Sequence, residues 1–187
     1  MKDFARDVFQ MFVYLIGGLM LGVLAFIILQ YPVKIGFEGI KVTAGGTERN
    51  LSAFVLMFLE EAAGLTALFL LSRRIGYREN TPDARLWTPY ILITTAAACG
   101  IYVLLILITN FSWSFLYLDT LNMMQLIFGK RELNGIGIAE LRGAYRMQGT
   151  VTLMIHALLY MLPMNLGYIF GAKKRITDRT ALTNRGK

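Results

Sequence analysis

The chain has almost none of the side chains from which metal centres and disulfide frameworks are built: of its 187 residues one is cysteine, Cys99, and one is histidine, His156. A single cysteine inside an apolar run excludes an intrachain disulfide, and one histidine excludes multi-histidine metal chemistry within one chain. We therefore expect no metal and no cofactor. Charge is also scarce, at 17% of residues against about 25% in soluble domains. Catalytic signatures are missing as well. The sequence holds no Gly-x-Ser-x-Gly, no phosphate-cradling glycine loop ending in Lys-Ser/Thr, and no His-Glu-x-x-His, so no catalytic residue is assigned.

Hydrophobic residues make up 56% of the chain, above the usual ~45–50%. They are gathered into four windows, while the connecting segments hold nearly all the charge. About 20 apolar residues cross a hydrocarbon layer of ~30 Å. Four windows reach that length: 9–33, 51–72, 87–109 and 150–171. The expected fold is an all-α integral membrane protein, a four-transmembrane-helix bundle forming a single membrane domain over 1–187. The first window is too long for a cleavable signal core and is expected to stay as an anchor.

Basic residues set the orientation. Twelve of the 19 lie on one side: Lys2, Arg6, Arg73, Arg74, Arg78, Arg85, Lys173, Lys174, Arg175, Arg179, Arg185 and Lys187. The other seven are Lys34, Lys41, Arg49, Lys130, Arg131, Arg142 and Arg146, spread over longer segments. This bias predicts an N-in/C-in topology with a basic cytoplasmic tail over 172–187. The net charge of +7 is thereby explained by topology and by anionic headgroups, and no nucleic-acid partner is expected. Tyr31, Phe111 and Trp113 should lie at the outer interface, with Trp87, Tyr90 and Tyr168 at the inner one.

The outer loop, 110–149, is too long for a simple connection. Its first half mixes Trp, Phe, Tyr and Met with Asp119, Asn122 and Gln125, which reads as an amphipathic interfacial segment. A re-entrant segment or a cap over the bundle is the competing reading. The second half, with Gly135, Gly137 and Gly143, reads as loop with a short helix around 139–147.

Two adjacent acids, Glu60 and Glu61, stand about ten residues into the second window. An ionised acid at the bilayer centre costs roughly 2.5–3.5 kcal/mol, and an unpartnered carboxyl there stays protonated and can carry a proton. Neighbours on a helix differ by ~100° in direction. Glu60 shares a face with Ala53, Met57, Gly64 and Ala67, the small-residue surface that close packing needs. Glu61 shares its face with Phe54, Phe58, Leu65 and Leu68. The pattern predicts Glu60 as the internal acid and Glu61 as the one answering to a partner or a cavity.

By helical rise Glu60 lies roughly 13 Å, His156 roughly 9 Å and Tyr160 roughly 15 Å below the outer boundary, with Tyr102 near the depth of His156. Glu60, Glu61, Tyr102, His156 and Tyr160 are thus expected as an intramembrane polar cluster, either a structural clasp or a proton or ion site. Gly18, Gly22, Gly64, Ala96 and Gly100 are expected at helix contacts, through Gly18-x-x-x-Gly22 and Ala96-x-x-x-Gly100. Function read this way is that of a non-enzymatic subunit or accessory factor of a membrane complex, partnered by the bilayer and by other membrane subunits or further copies of itself. A proton- or ion-coupled carrier or channel using Glu60 is the alternative, and a lipid-modifying membrane enzyme the third reading. The expected location is the plasma membrane, with an organelle membrane as the alternative.

Overall fold

The computed structural model describes residues 2–44, 47–78, 89–127 and 137–185. Four long helices dominate: α1 (Lys2–Gly36), α2 (Leu51–Arg78), α3 (Pro89–Ile108) and α6 (Arg146–Arg185). Each contains a stretch long and apolar enough to cross a membrane. Between them lie a hairpin of β1 (Lys41–Ala44) and β2 (Thr47–Asn50), and the short helices α4 (Leu118–Ile127) and α5 (Ile138–Arg142). The small sheet departs from the all-helical expectation. Its strands pair antiparallel from Lys41 opposite Asn50 to Ala44 opposite Thr47.

The long helices form a square in which α2 contacts α1 and α6, and α3 contacts the same two. Every wall obeys helical periodicity. On α1 the buried positions are Val8, Met11, Leu15, Gly18, Leu19, Gly22 and Val33; on α3 they are Ile91, Thr94, Thr95, Ala98, Cys99, Tyr102 and Ile106. The opposite faces carry exposed Leu, Ile and Phe, including Ile27, Ile28, Leu104, Leu158 and Leu162, as expected of helices surrounded by lipid rather than water.

Size complementarity sets the spacing. A Cβ on Gly18 would meet the Leu68 side chain at 2.5 Å, and one on Gly22 would meet the Glu60 carbonyl at 2.9 Å. Gly64 likewise leaves room for the Tyr160 hydroxyl, 2.9 Å from where its Cβ would stand. The closest approach lies along α2 and α6, where Gly76, Gly167 and Gly171 face backbone. A Cβ on Gly171 would sit 2.8 Å from the Tyr77 nitrogen and 2.9 Å from the Arg73 carbonyl carbon. Ala96 and Gly100 behave differently from expectation. Both are exposed on α3, and nothing lies within 4 Å of a Cβ on Gly100. The buried stripe of α3 runs through Ala98 and Tyr102, so this small pair faces away from the bundle.

The N-terminal part of α1, the C-terminal part of α2, the start of α3 and the C-terminal part of α6 share one end of the molecule. Tyr90 Oη donates to Asp7 at 2.6 Å, and Tyr77 Oη donates to Asp178 at 3.1 Å. At the other end α3 stops in a tight turn. Asn110 and Phe111 have φ of 48° and 62°, and the Phe111 amide donates to the Ile106 carbonyl at 2.8 Å. Asn accepts this left-handed conformation readily, whereas an aromatic residue there is strained. The strain is offset by complete burial of the Phe111 ring and by Arg142, whose Nε donates to the Asn110 carbonyl and whose Nη2 donates to Ser112 Oγ, both at 2.7 Å. Phe111 and Tyr168 are buried in the core, and Trp87 lies outside the described residues.

After this turn the chain folds back onto the bundle. Ser114, Leu116, Tyr117, Thr120 and Leu121 are buried, and α4 lies against α2 and α6. Trp113 and Phe115 stay about 40% exposed and stack at 6.1 Å. The short helix expected around 139–147 is α5, which ends at Arg142 with Gly143 as its cap; Arg146 and Met147 already belong to α6.

Candidate functional site

One group of polar side chains is enclosed by α2, α3, α4 and α6. Its acid is Glu61, 6% exposed. Of the buried positions of α2, which also include Leu56 and Gly76, Glu61, Gly64, Leu68, Ser72 and Ile75 follow i, i+3, i+7, i+11 and i+14. That stripe mixes a glycine with a large leucine, because each meets the opposite size on its neighbour: Leu68 fills the space over Gly18, and Gly64 makes room for Tyr160. The expectation that bulky residues mark the lipid face and small ones the packing face therefore assigned the acids in reverse. Glu61 is the internal acid. Glu60 is half-buried one step around the helix, its carbonyl against Gly22 of α1.

Tyr160 and His156 reach Glu61 from α6. Tyr160 Oη donates to Glu61 Oε2 at 2.7 Å, and His156 Nδ1 stands 3.8 Å from Glu61 Oε1. Four residues apart on one helix, the His156 and Tyr160 rings lie one above the other, with centroids 4.2 Å apart and planes 26° from parallel. Tyr102 of α3 and Tyr117, just before α4, each place a ring centroid 6.1 Å from that of His156. Thr120 of α4 closes the group, its Oγ1 2.7 Å from His156 Nδ1. Glu61, Tyr102, His156 and Tyr160 thus come together as one cluster.

Thr120 and Tyr117 were not among the residues singled out from sequence. Their signal is the buried spacing Tyr117, Thr120, Leu121 on the outer segment, where a lone hydroxyl barely changes the hydropathy. Thr95 and Asn165 form a second, smaller contact between α3 and α6. Asn165 Nδ2 donates to Thr95 Oγ1 at 3.0 Å and to the Met161 carbonyl at 2.8 Å.

The proton on His156 can occupy either ring nitrogen. On Nδ1 it is donated to Thr120 and faces the Glu61 carboxylate; on Nε2 it leaves Nδ1 to accept from Thr120. In both arrangements Nε2 stays buried without a hydrogen-bond partner among the described residues, as do Tyr102 Oη and Tyr117 Oη. Each such atom costs about 1–3 kcal/mol. Burial also pushes the Tyr117 hydroxyl well above its usual pKa, so it remains a neutral donor. Among the described residues, no three His, Cys, Asp or Glu side chains converge as metal ligands.

Four apolar helices around this core define a multi-pass membrane protein. No family model matches the chain, and neither a curated protein nor a solved structure matches it.

Proposed function

We propose that this protein handles a proton or small cation at the Glu61 cluster as a carrier or channel component of the plasma membrane. The observation that carries this reading is the ionisable pair Glu61 and His156, 3.8 Å apart and buried, beside three polar atoms that have no hydrogen-bond partner among the described residues. A purely structural clasp pairs nearly all its buried donors and acceptors, whereas an acid and a base held side by side can exchange a proton. Reconstituted into liposomes, the protein should give pH-dependent cation or proton flux that Glu61→Gln abolishes and Glu60→Gln leaves in place. Flux unaffected by Glu61→Gln removes the mechanism.

The proposed topology is N-in/C-in. It rests on the shared end of the bundle that holds Lys2, Arg6, Arg73, Arg74, Lys173 and Lys174, together with the retention of basic residues on the cytoplasmic side. In this orientation the capping segment lies at the outer leaflet, with exposed Trp113 and Phe115 in the headgroup layer. Single-cysteine labelling at Lys2 and at Lys41 from the outside of intact cells should mark only Lys41→Cys.

A second reading is that of a non-enzymatic subunit or accessory factor of a membrane complex. It is favoured by the exposed Ala96 and Gly100 face of α3, which suits close approach by another helix. Glu61 no longer supports it, since the acid faces inward. Extraction in mild detergent followed by cross-linking should then recover larger species, and a chain that runs only as a monomer opposes the reading.

A further inference from the structure

At the end of the bundle that holds the N-terminal part of α1, α2 and α6 leave an open groove of about 380 Å³ lined by Leu70, Arg73, Arg74, Tyr77, Gly171 and Lys174. That volume lies within the ~300–1,000 Å³ typical of small-ligand sites. Two helices contribute its cations, brought side by side because Gly171 lets α6 press against the backbone of α2 at Arg73 and Tyr77. None of Arg73, Arg74 and Lys174 has an ion pair among the described residues. The acid nearest in sequence, Asp178, one turn beyond Lys174, accepts the Tyr77 hydroxyl at 3.1 Å.

Three uncompensated cations around one groove, two of them guanidinium groups, match the charge and the oxygen geometry of a phosphate group. The groove also has an apolar edge. Leu70 lines it and is 54% exposed, and Phe170, next to the lining Gly171 on α6, is equally exposed and packs its ring 5.9 Å from that of Phe69, next to Leu70 on α2. We propose that this groove binds the phosphate headgroup of an anionic lipid, with an acyl chain running along Leu70 and Phe170. The phosphate chemistry alone would suit inorganic phosphate equally; the apolar edge favours the lipid. The proposal does not depend on the Glu61 cluster.

The test is native mass spectrometry of the full chain in detergent, titrated with phosphatidylglycerol or phosphatidylcholine. Arg73→Gln/Arg74→Gln/Lys174→Gln is compared with a charge-matched control, Arg78→Gln/Lys173→Gln/Arg179→Gln. Basic residues near anionic lipid contribute about fivefold each in affinity, so the groove variant should bind phosphatidylglycerol on the order of 100-fold more weakly, with phosphatidylcholine unchanged. The control should retain phosphatidylglycerol, and excess inorganic phosphate should not displace it. Equal loss in both triple variants, equal binding of the two lipids, or full displacement by inorganic phosphate would each overturn the proposal. Circular dichroism checks the fold. If the triple variant does not fold, Lys174→Gln alone should weaken binding about fivefold, and an unchanged affinity there refutes the site.

Discussion

Which of the two adjacent glutamates is tied to α6 can be decided by a double-mutant cycle. The perturbations are Tyr160→Phe, which removes the hydroxyl donating to Glu61 Oε2 at 2.7 Å, and Glu61→Met, which keeps side-chain length and removes the acceptor. Interhelical hydrogen bonds in membranes average about 0.6 kcal/mol and reach about 1.7. Here the bond is short, its acceptor is an acid, and Glu61 is 6% exposed, so the coupling should lie near the top of that range, about 1.5 kcal/mol. The same cycle with Glu60→Met should give less than about 0.5 kcal/mol, the level of independent sites. Unfolding in mixed micelles, followed by circular dichroism on the parent, both single variants and the double variant, measures the coupling. A Glu60 coupling equal to or above that of Glu61 would refute the assignment of the internal acid.

Other outcomes follow from the same contacts. Thr120→Val leaves His156 Nδ1 without its 2.7 Å partner and should cost about 1–3 kcal/mol in the same unfolding assay. Gly171→Ala places a methyl group against the α2 backbone and should cost about 3 kcal/mol, the upper end for overpacking. Gly100→Ala, at an open position, should instead be neutral or stabilise by up to ~1 kcal/mol; similar melting points for these two glycine variants would oppose the packing described. Arg142→Ala releases the strained Asn110–Phe111 turn and should cost about 1 kcal/mol, a fall in Tm of roughly 2–4 °C.

The four spans were legible because hydropathy over some 20 residues is a sum that no single position can reverse. Their ends were less so. α1 begins at Lys2 and α6 runs to Arg185, since a helix needs no apolar residues once it leaves the hydrocarbon. Part of the polar cluster was legible from depth, as Tyr102, His156 and Tyr160 fall at heights compatible with the two acids; Glu60, expected among them, lies half-buried one step around α2. Facing was not. The direction of Glu61 depends on which residues of α1 and α6 lie opposite, and Leu68 over Gly18 is a pairing between helices that one helix viewed alone cannot reveal. The same holds for Ala96 and Gly100, a small-residue spacing with no neighbour of this chain against it. The hairpin was missed because its strands are only four residues long, too short for an alternating pattern to show.

The neighbours α2 and α6 are far apart in the chain: Glu61 and Tyr160 are separated by 99 positions. A ribosome adding about 5–20 residues per second takes roughly 5–20 s to cover that distance. During this interval α2 has entered the bilayer while the helix that supplies its hydrogen-bond donor is still being made. Biogenesis therefore includes a waiting stage in which the acid of α2 has been made without its final partner, and the order of helix arrival becomes part of how this bundle reaches its native state.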